Sequence, residues 1–194
     1  YFKVQDIKQI KTALISVFNK DGLEKITSLL MDNGILIYST GGTRNFLESL
    51  GAKVISVESI TSYPSILGGR VKTLHPKVFG GILGRRSDTE DIKQLKEYKI
   101  PEIDLVIVDL YPFEETVQNG GSNPEIIEKI DIGGISLIRA AAKNYNDVLI
   151  IPSKKEYQFL ENILKKKSES SIEQRKKMAL EAFKISSQYD KSIY

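Results

Sequence analysis

The run Leu105-Val106-Ile107-Val108-Asp109-Leu110-Tyr111-Pro112-Phe113 sets four apolar residues in a row ahead of an acid and a proline. A strand with one wet face alternates apolar and polar residues, whereas an unbroken apolar run suits a strand buried on both faces. Such strands belong to parallel sheets covered by helices. The sequence on either side repeats the theme. Residues 13–18 (Ala-Leu-Ile-Ser-Val-Phe) read as a first strand, and Leu23, Ile26 and Leu30 then fall on one helical face that Gly34 closes. Residues 35–38 read as a second strand. Phe46, Leu47 and Leu50 mark a short helix ending at Gly51, and residues 53–57 give a third strand. After a helix around residues 135–143, residues 147–151 complete a set of five. Strands alternating with helices predict a mostly parallel sheet with right-handed crossovers.

The composition bounds what this fold can do. A chain of 194 residues, 41% apolar and 27% charged, fits one domain with a real core and room for a helical appendage. A net charge of +3 is too weak to mark a nucleic-acid binder. With no cysteine and one histidine, a disulfide framework, a thiolate nucleophile and a Cys- or His-based metal cluster are not expected. No apolar run approaches the roughly 20 residues of a membrane span, and the chain reads as a cytoplasmic α/β protein. In its last forty residues Tyr157, Leu160 and Leu164 form one helical stripe. Met178, Ala182 and Ile185 form another, with a polar break over residues 165–171 between them.

The segment 59–87 carries no Asp or Glu. It reads as a long surface loop in which glycines let a backbone approach a ligand and unpaired cations favour an anion. Arg70, Lys72 and His75 lie in it; His75, beside Pro76, reads more simply as part of a turn than as an acid–base group. Ser39-Thr40-Gly41-Gly42-Thr43 stands between a strand and a helix start, where free amides and the helix dipole favour a phosphate. A plain Gly turn with a Thr cap is the alternative. Lys20 would emerge at the same sheet edge. Tyr111 follows the most buried strand, as a ligand contact or an aromatic lid. Asp131 precedes a helix as a cap or a site residue, and Lys143 ends that helix as a site residue or a favourable C-terminal cation.

Taken in order, Ser39-Thr40-Gly41-Gly42-Thr43, Leu67-Gly68-Gly69-Arg70-Val71-Lys72-Thr73-Leu74-His75-Pro76, Leu110-Tyr111-Pro112-Phe113, Asp131-Ile132-Gly133-Gly134 and Arg139-Ala140-Ala141-Ala142-Lys143-Asn144 closely resemble the IMP cyclohydrolase domain of the bifunctional purine biosynthesis enzymes. The resemblance implies a methylglyoxal-synthase-like α/β three-layer sandwich, with a central, mostly parallel five-stranded sheet and C-terminal helices. It implies a domain over residues 1–152, and helices over 153–194 that complete it and lead to an absent formyltransferase domain. It implies a homodimer acting on a purine ribonucleotide, with no cofactor, no metal, no nucleic acid and no membrane. By motif, Lys72, Tyr111, Asp131 and Lys143 resemble the catalytic group. Thr40, Gly41, Gly42 and Thr43 with Ser16 and Lys20 resemble the 5′-phosphate site, and Arg70, Thr73 and Asp109 the rest of the substrate pocket.

Three positions depart from the family pattern. Phe18-Asn19-Lys20 stands where Ser-Asp-Lys is common, and Asp109 where Asn usually precedes Leu-Tyr-Pro. The implied reaction is dehydrative closure of the formamido-imidazole carboxamide ribonucleotide to IMP, which needs placed charges and proton transfer rather than a covalent nucleophile. An allosteric nucleotide module of the same fold and a methylglyoxal-synthase-type lyase are the competing readings. The four-residue catalytic group argues against the first, and the Gly-Gly-Arg-Val-Lys-Thr block against the second.

Overall fold

The computed structural model describes residues 6–194; the first five residues of the expected unit 1–152 lie outside the described residues. After β1 (Ile7–Gln9), the strands β2 (Thr12–Ser16), β3 (Leu36–Ser39), β4 (Val54–Ser56), β5 (Leu105–Val108) and β6 (Leu149–Ile151) form one sheet in the order β4-β3-β2-β5-β6. Every pairing in it is parallel, with Ala13 opposite Leu105 and Ser16 opposite Val108. All four residues of β5 are buried, as its unbroken apolar run requires.

The chain builds outward from β2 through α1 (Leu23–Asp32), β3 and α2 (Gly41–Ser49) to β4, then returns to the other side of β2 for β5. Right-handed crossovers therefore put α1 and α2 on one face and α8 (Gly133–Lys143), which joins β5 to β6, on the other. The helix α9 (Tyr157–Leu164) packs on α1, while α4 (Pro76–Leu83) and α10 (Ile172–Ile193) pack on α8. Strand order reverses between β2 and β5. In open α/β sheets the crevice at that point, beyond the carboxyl ends of the strands, is where ligands bind.

Several elements depart from the sequence reading. The acid-free segment is not one loop. It holds the end of α3 (Val57–Thr61), a single 3-10 turn at Leu67–Gly69, and all of α4. Pro76 opens α4 because its missing N–H is not needed there, and His75 Nδ1 caps it by accepting the Lys77 amide at 3.1 Å. The polar break 165–171 contains β7 (Glu169–Ser171), which pairs antiparallel with β1. Three mostly polar residues on a two-stranded ribbon offer no apolar alternation to read. Helices α5 (Thr89–Glu97), α6 (Phe113–Gln118) and α7 (Asn123–Glu128) complete the order.

Arg175, on α10, ties these late elements together. Its side chain is fully buried (0% exposed), and its guanidinium donates to the carbonyls of Tyr145, Ser170, Asp6 and Asn146. The Asp6 carboxylate lies 3.7 Å away. One planar fork thus joins β7, the residue just before β1 and the turn before β6.

Candidate active site

A cleft of about 580 Å³ opens at the strand-order reversal, lined at and just after the end of β2 by Ser16 and Val17 and beyond β5 by Asp109 and Tyr111. At one end lies the N-terminus of α2. Thr40 is its N-cap, with extended backbone and no side-chain cap bond. The first amides of the helix have no carbonyl partner behind them and carry the positive end of the dipole. Gly41 adopts φ +55°, and a Cβ placed there would stand 3.2 Å from Lys72 Nζ. Glycine therefore admits both the turn and the lysine.

The hydroxyls expected to meet a phosphate are largely engaged elsewhere. Thr43 Oγ1 donates to the Val17 carbonyl at 2.9 Å and accepts its N–H at 3.2 Å, binding α2 to the end of β2. Thr40 Oγ1 donates to Glu58 at 2.5 Å. Lys20 Nζ folds onto the carbonyls of Val17 and Phe18 at 3.2 and 2.8 Å. What this end offers an anion is chiefly backbone N–H, helix dipole and the charges of Lys20 and Lys72. Ser16, Lys20, Thr40, Gly42 and Thr43 line the cleft; Gly41 is not among the lining residues but lies against Lys72, which is.

At the other end Asp131 is half-buried, and the loss of water around it raises its carboxyl above the usual range. The amides of Gly134 and Tyr111 and the charge of Lys72 pull in the opposite direction. The Gly134 amide donates to Oδ1 at 2.6 Å, and a Cβ on Gly134 would fall 2.7 Å from Oδ2. The carboxylate can reach the start of α8 only over a glycine. Beside it the Tyr111 phenol is raised by burial and by Asp131 and Glu128, so near neutrality it is a neutral hydroxyl donor. Lys72 faces both ends, with its ammonium near Gly41 and its charge felt at Asp131. Thr73 is buried with Oγ1 towards Gly133, where a Cβ would come within 3.1 Å.

Other expected residues stand differently. Asp109, expected to touch substrate, lines the cleft, and its two carboxylate oxygens accept the amides of Phe18 and Asn19. Burial raises it, and those amides with Lys20 and Lys154 lower it. Its charge is thereby answered by the loop after β2. Arg70 lines the cleft, but its guanidinium is engaged by Glu128 at the rim. Lys143 is not in the cleft at all. It is exposed at the far end of α8, about 15 Å along the helix from Gly133 at 1.5 Å per residue. The motif Arg139–Asn144 marks the helix's end, while the cleft uses its beginning.

The sequence reading did not find the α7 wall. Glu128 reaches Arg70, and Lys129 Nζ stands 5.3 and 5.4 Å from the ring centres of Phe18 and Tyr111, which meet edge to face. The signal available was Ser122-x-x-Glu125, a capping box that starts α7. Nothing in spacing alone ties Lys129 to Phe18.

The chain is similar to proteins already known. The MGS-like domain family matches residues 22–136, and the AICARFT/IMPCHase bienzyme family matches residues 141–194. The bifunctional purine biosynthesis protein PurH of Bacteroides thetaiotaomicron is 59% identical over 98% of the chain, which covers 38% of that protein. Its counterpart in Persephonella marina is 46% identical over 94% of the chain, covering 36% of that protein. The chain thus spans less than two fifths of the length of these curated relatives. A solved structure described as the crystal structure of ForH superposes with a TM-score of 0.78 at 32% identity, covering 94% of this chain and 96% of its own. With the parallel sheet, the cleft at the strand-order reversal and the family match over most of the chain in agreement, the protein belongs to the MGS-like domain family, in the form that resembles the bifunctional purine biosynthesis proteins.

Proposed function

We propose that this chain is the IMP cyclohydrolase unit of a bifunctional purine biosynthesis enzyme. It would close 5-formamidoimidazole-4-carboxamide ribonucleotide to IMP with loss of water. The carboxamide nitrogen attacks the formyl carbon and gives up one proton; the formamido nitrogen then loses its own proton as it forms the C=N bond, and the former formyl oxygen departs as water carrying two protons. The observation that carries this reading is the position of Lys72 between the N-terminus of α2 and the Asp131 carboxylate. A 5′-phosphate on the α2 amides would set the base of the nucleotide towards Asp131 and Tyr111. Asp131, with its proton affinity raised by burial, is suited to orient the amide or take its proton. Tyr111 and Lys72 would stabilise the oxyanion of the cyclic intermediate. Asp109 shapes the phosphate end from beneath through the loop it holds.

The same reading takes residues 1–152 as the catalytic unit and 153–194 as helices leading to a formyltransferase domain in a longer, cytoplasmic, homodimeric protein. Adding the formylated ribonucleotide and following IMP by absorbance tests it. Folded protein that yields no IMP would return the site to a nucleotide sensor, for which the anion seat suffices.

The phosphate end can be tested by binding. Alanine at position 41 strains a left-handed backbone by about 1–2 kcal/mol, and its methyl would crowd Lys72 Nζ at 3.2 Å. Gly41→Ala should therefore weaken IMP binding by about tenfold in calorimetry. An unchanged Kd would remove α2 from the phosphate site.

A further inference from the structure

One atom of α10 reaches the backbone of Asp131, a residue that lines the cleft. Tyr189 lies near its C-terminal end, 9% exposed, its ring edge to face with Phe113 at 6.3 Å. The hydroxyl donates to the Lys129 carbonyl at 2.7 Å and accepts the Asp131 amide N–H at 2.8 Å. A phenol has one proton to give and lone pairs to receive, so both bonds form together. The two groups it joins bracket Ile130, in the short connection between α7 and α8 that walls the cleft. The Asp131 carboxylate is held by the amides of Gly134 and Tyr111, and its backbone N–H by Tyr189.

We infer that Tyr189 is a positioning residue for the ring closure: its hydroxyl fixes the backbone of Asp131 and so aims the carboxylate, making α10 part of the active site. This rests on the cyclohydrolase reading of the cleft. Tyr189→Phe keeps the ring packed on Phe113 and removes only the bridge. A second tether on the same helix separates aiming from general stability. Ser186, fully buried, accepts a bond from Arg139 Nη1 of α8 at 3.0 Å, and neither residue lines the cleft. Ser186→Ala thus loosens α10 against α8 without touching Asp131.

The test compares wild type, Tyr189→Phe and Ser186→Ala by steady-state ring closure, by IMP calorimetry and by NMR hydrogen exchange at the Asp131 amide. Tyr189→Phe is expected to lower kcat by about 10- to 100-fold, the scale set by a small misplacement of a reacting group. Its KM and IMP Kd should stay within about twofold, because uniform binding is untouched. The Asp131 amide should exchange about tenfold faster or more, having lost its partner. Ser186→Ala should keep kcat within about twofold. Wild-type kcat in Tyr189→Phe, unchanged exchange at Asp131, or equal kcat losses in both variants would each overturn the inference while leaving the cyclohydrolase reading in place. A wild type that closes no ring would overturn the reading of the cleft, and the inference with it.

Discussion

Lys72→Ala should lower ring-closure turnover by about 100- to 1000-fold, the loss typical of removing one preorganised charge from a developing oxyanion. Lys72 is suited to that effect because it forms no salt bridge with a carboxylate among the described residues, while the nearby cations Arg70 and Lys20 are engaged by Glu128 and by loop carbonyls. Its charge is felt at Asp131, and its ammonium stands by the Gly41 end of the cleft. The loss should therefore appear in KM as well as kcat. Lys72→Met separates the two contributions of the side chain. It keeps the apolar stem and loses only the charge, so its turnover should fall as far as that of the alanine variant. Circular dichroism should show both variants folded, since Lys72 is only half-buried. Near-normal turnover in either would remove Lys72 from the reaction.

The largest expected effect on stability lies far from the cleft. Arg175→Met should destabilise the fold by about 3–5 kcal/mol, as breaking a buried charged network does. The guanidinium serves the carbonyls of Tyr145, Ser170, Asp6 and Asn146 and faces the Asp6 carboxylate. Methionine fills much of the space but donates nothing, so these acceptors are left facing an apolar chain. Burial lowers the arginine's pKa, and Asp6, Asp147 and Glu173 raise it. An arginine nevertheless remains charged throughout the working range, so no pH in that range should rescue the wild-type contact. For a chain of this size the loss corresponds to a Tm drop on the order of 10 °C. Urea unfolding should show a lower midpoint at an unchanged slope. A loss below about 1 kcal/mol would mean that water reaches the freed carbonyls.

How far the sequence could be read follows from where each signal originates. The sheet was legible because β5 is buried on both faces and carries an unbroken apolar run. The helix start beside the cleft was legible because Gly41-Gly42 stands between a strand and a helix, a local pattern with a local cause. Strand ends were less so: Val57 is apolar like the residues before it, yet Ser56 caps a helix there and closes β4. The β1–β7 ribbon was hidden because its short, mostly polar strands pair across nearly the whole chain. Residue roles were the least legible. Asp109 and Lys143 occupy motif positions, but which atoms a carboxylate meets, and which end of a helix faces a cleft, depend on tertiary placement. Tyr189 left no trace in the motifs, since its part depends on where the last helix lies against the α7–α8 connection.

The strand order also constrains how the protein can be made. Because β2 pairs with β5, its edge on that side stays open until the ribosome has delivered β5, long after β2, β3 and β4 have emerged. During that interval the nascent chain presents Ala13, Leu14 and Ile15, all destined for full burial, on an uncapped edge able to recruit another chain. Translation speed between β4 and β5, and chaperones that shield a bare strand, therefore bear on the yield of this protein more directly than on its final stability.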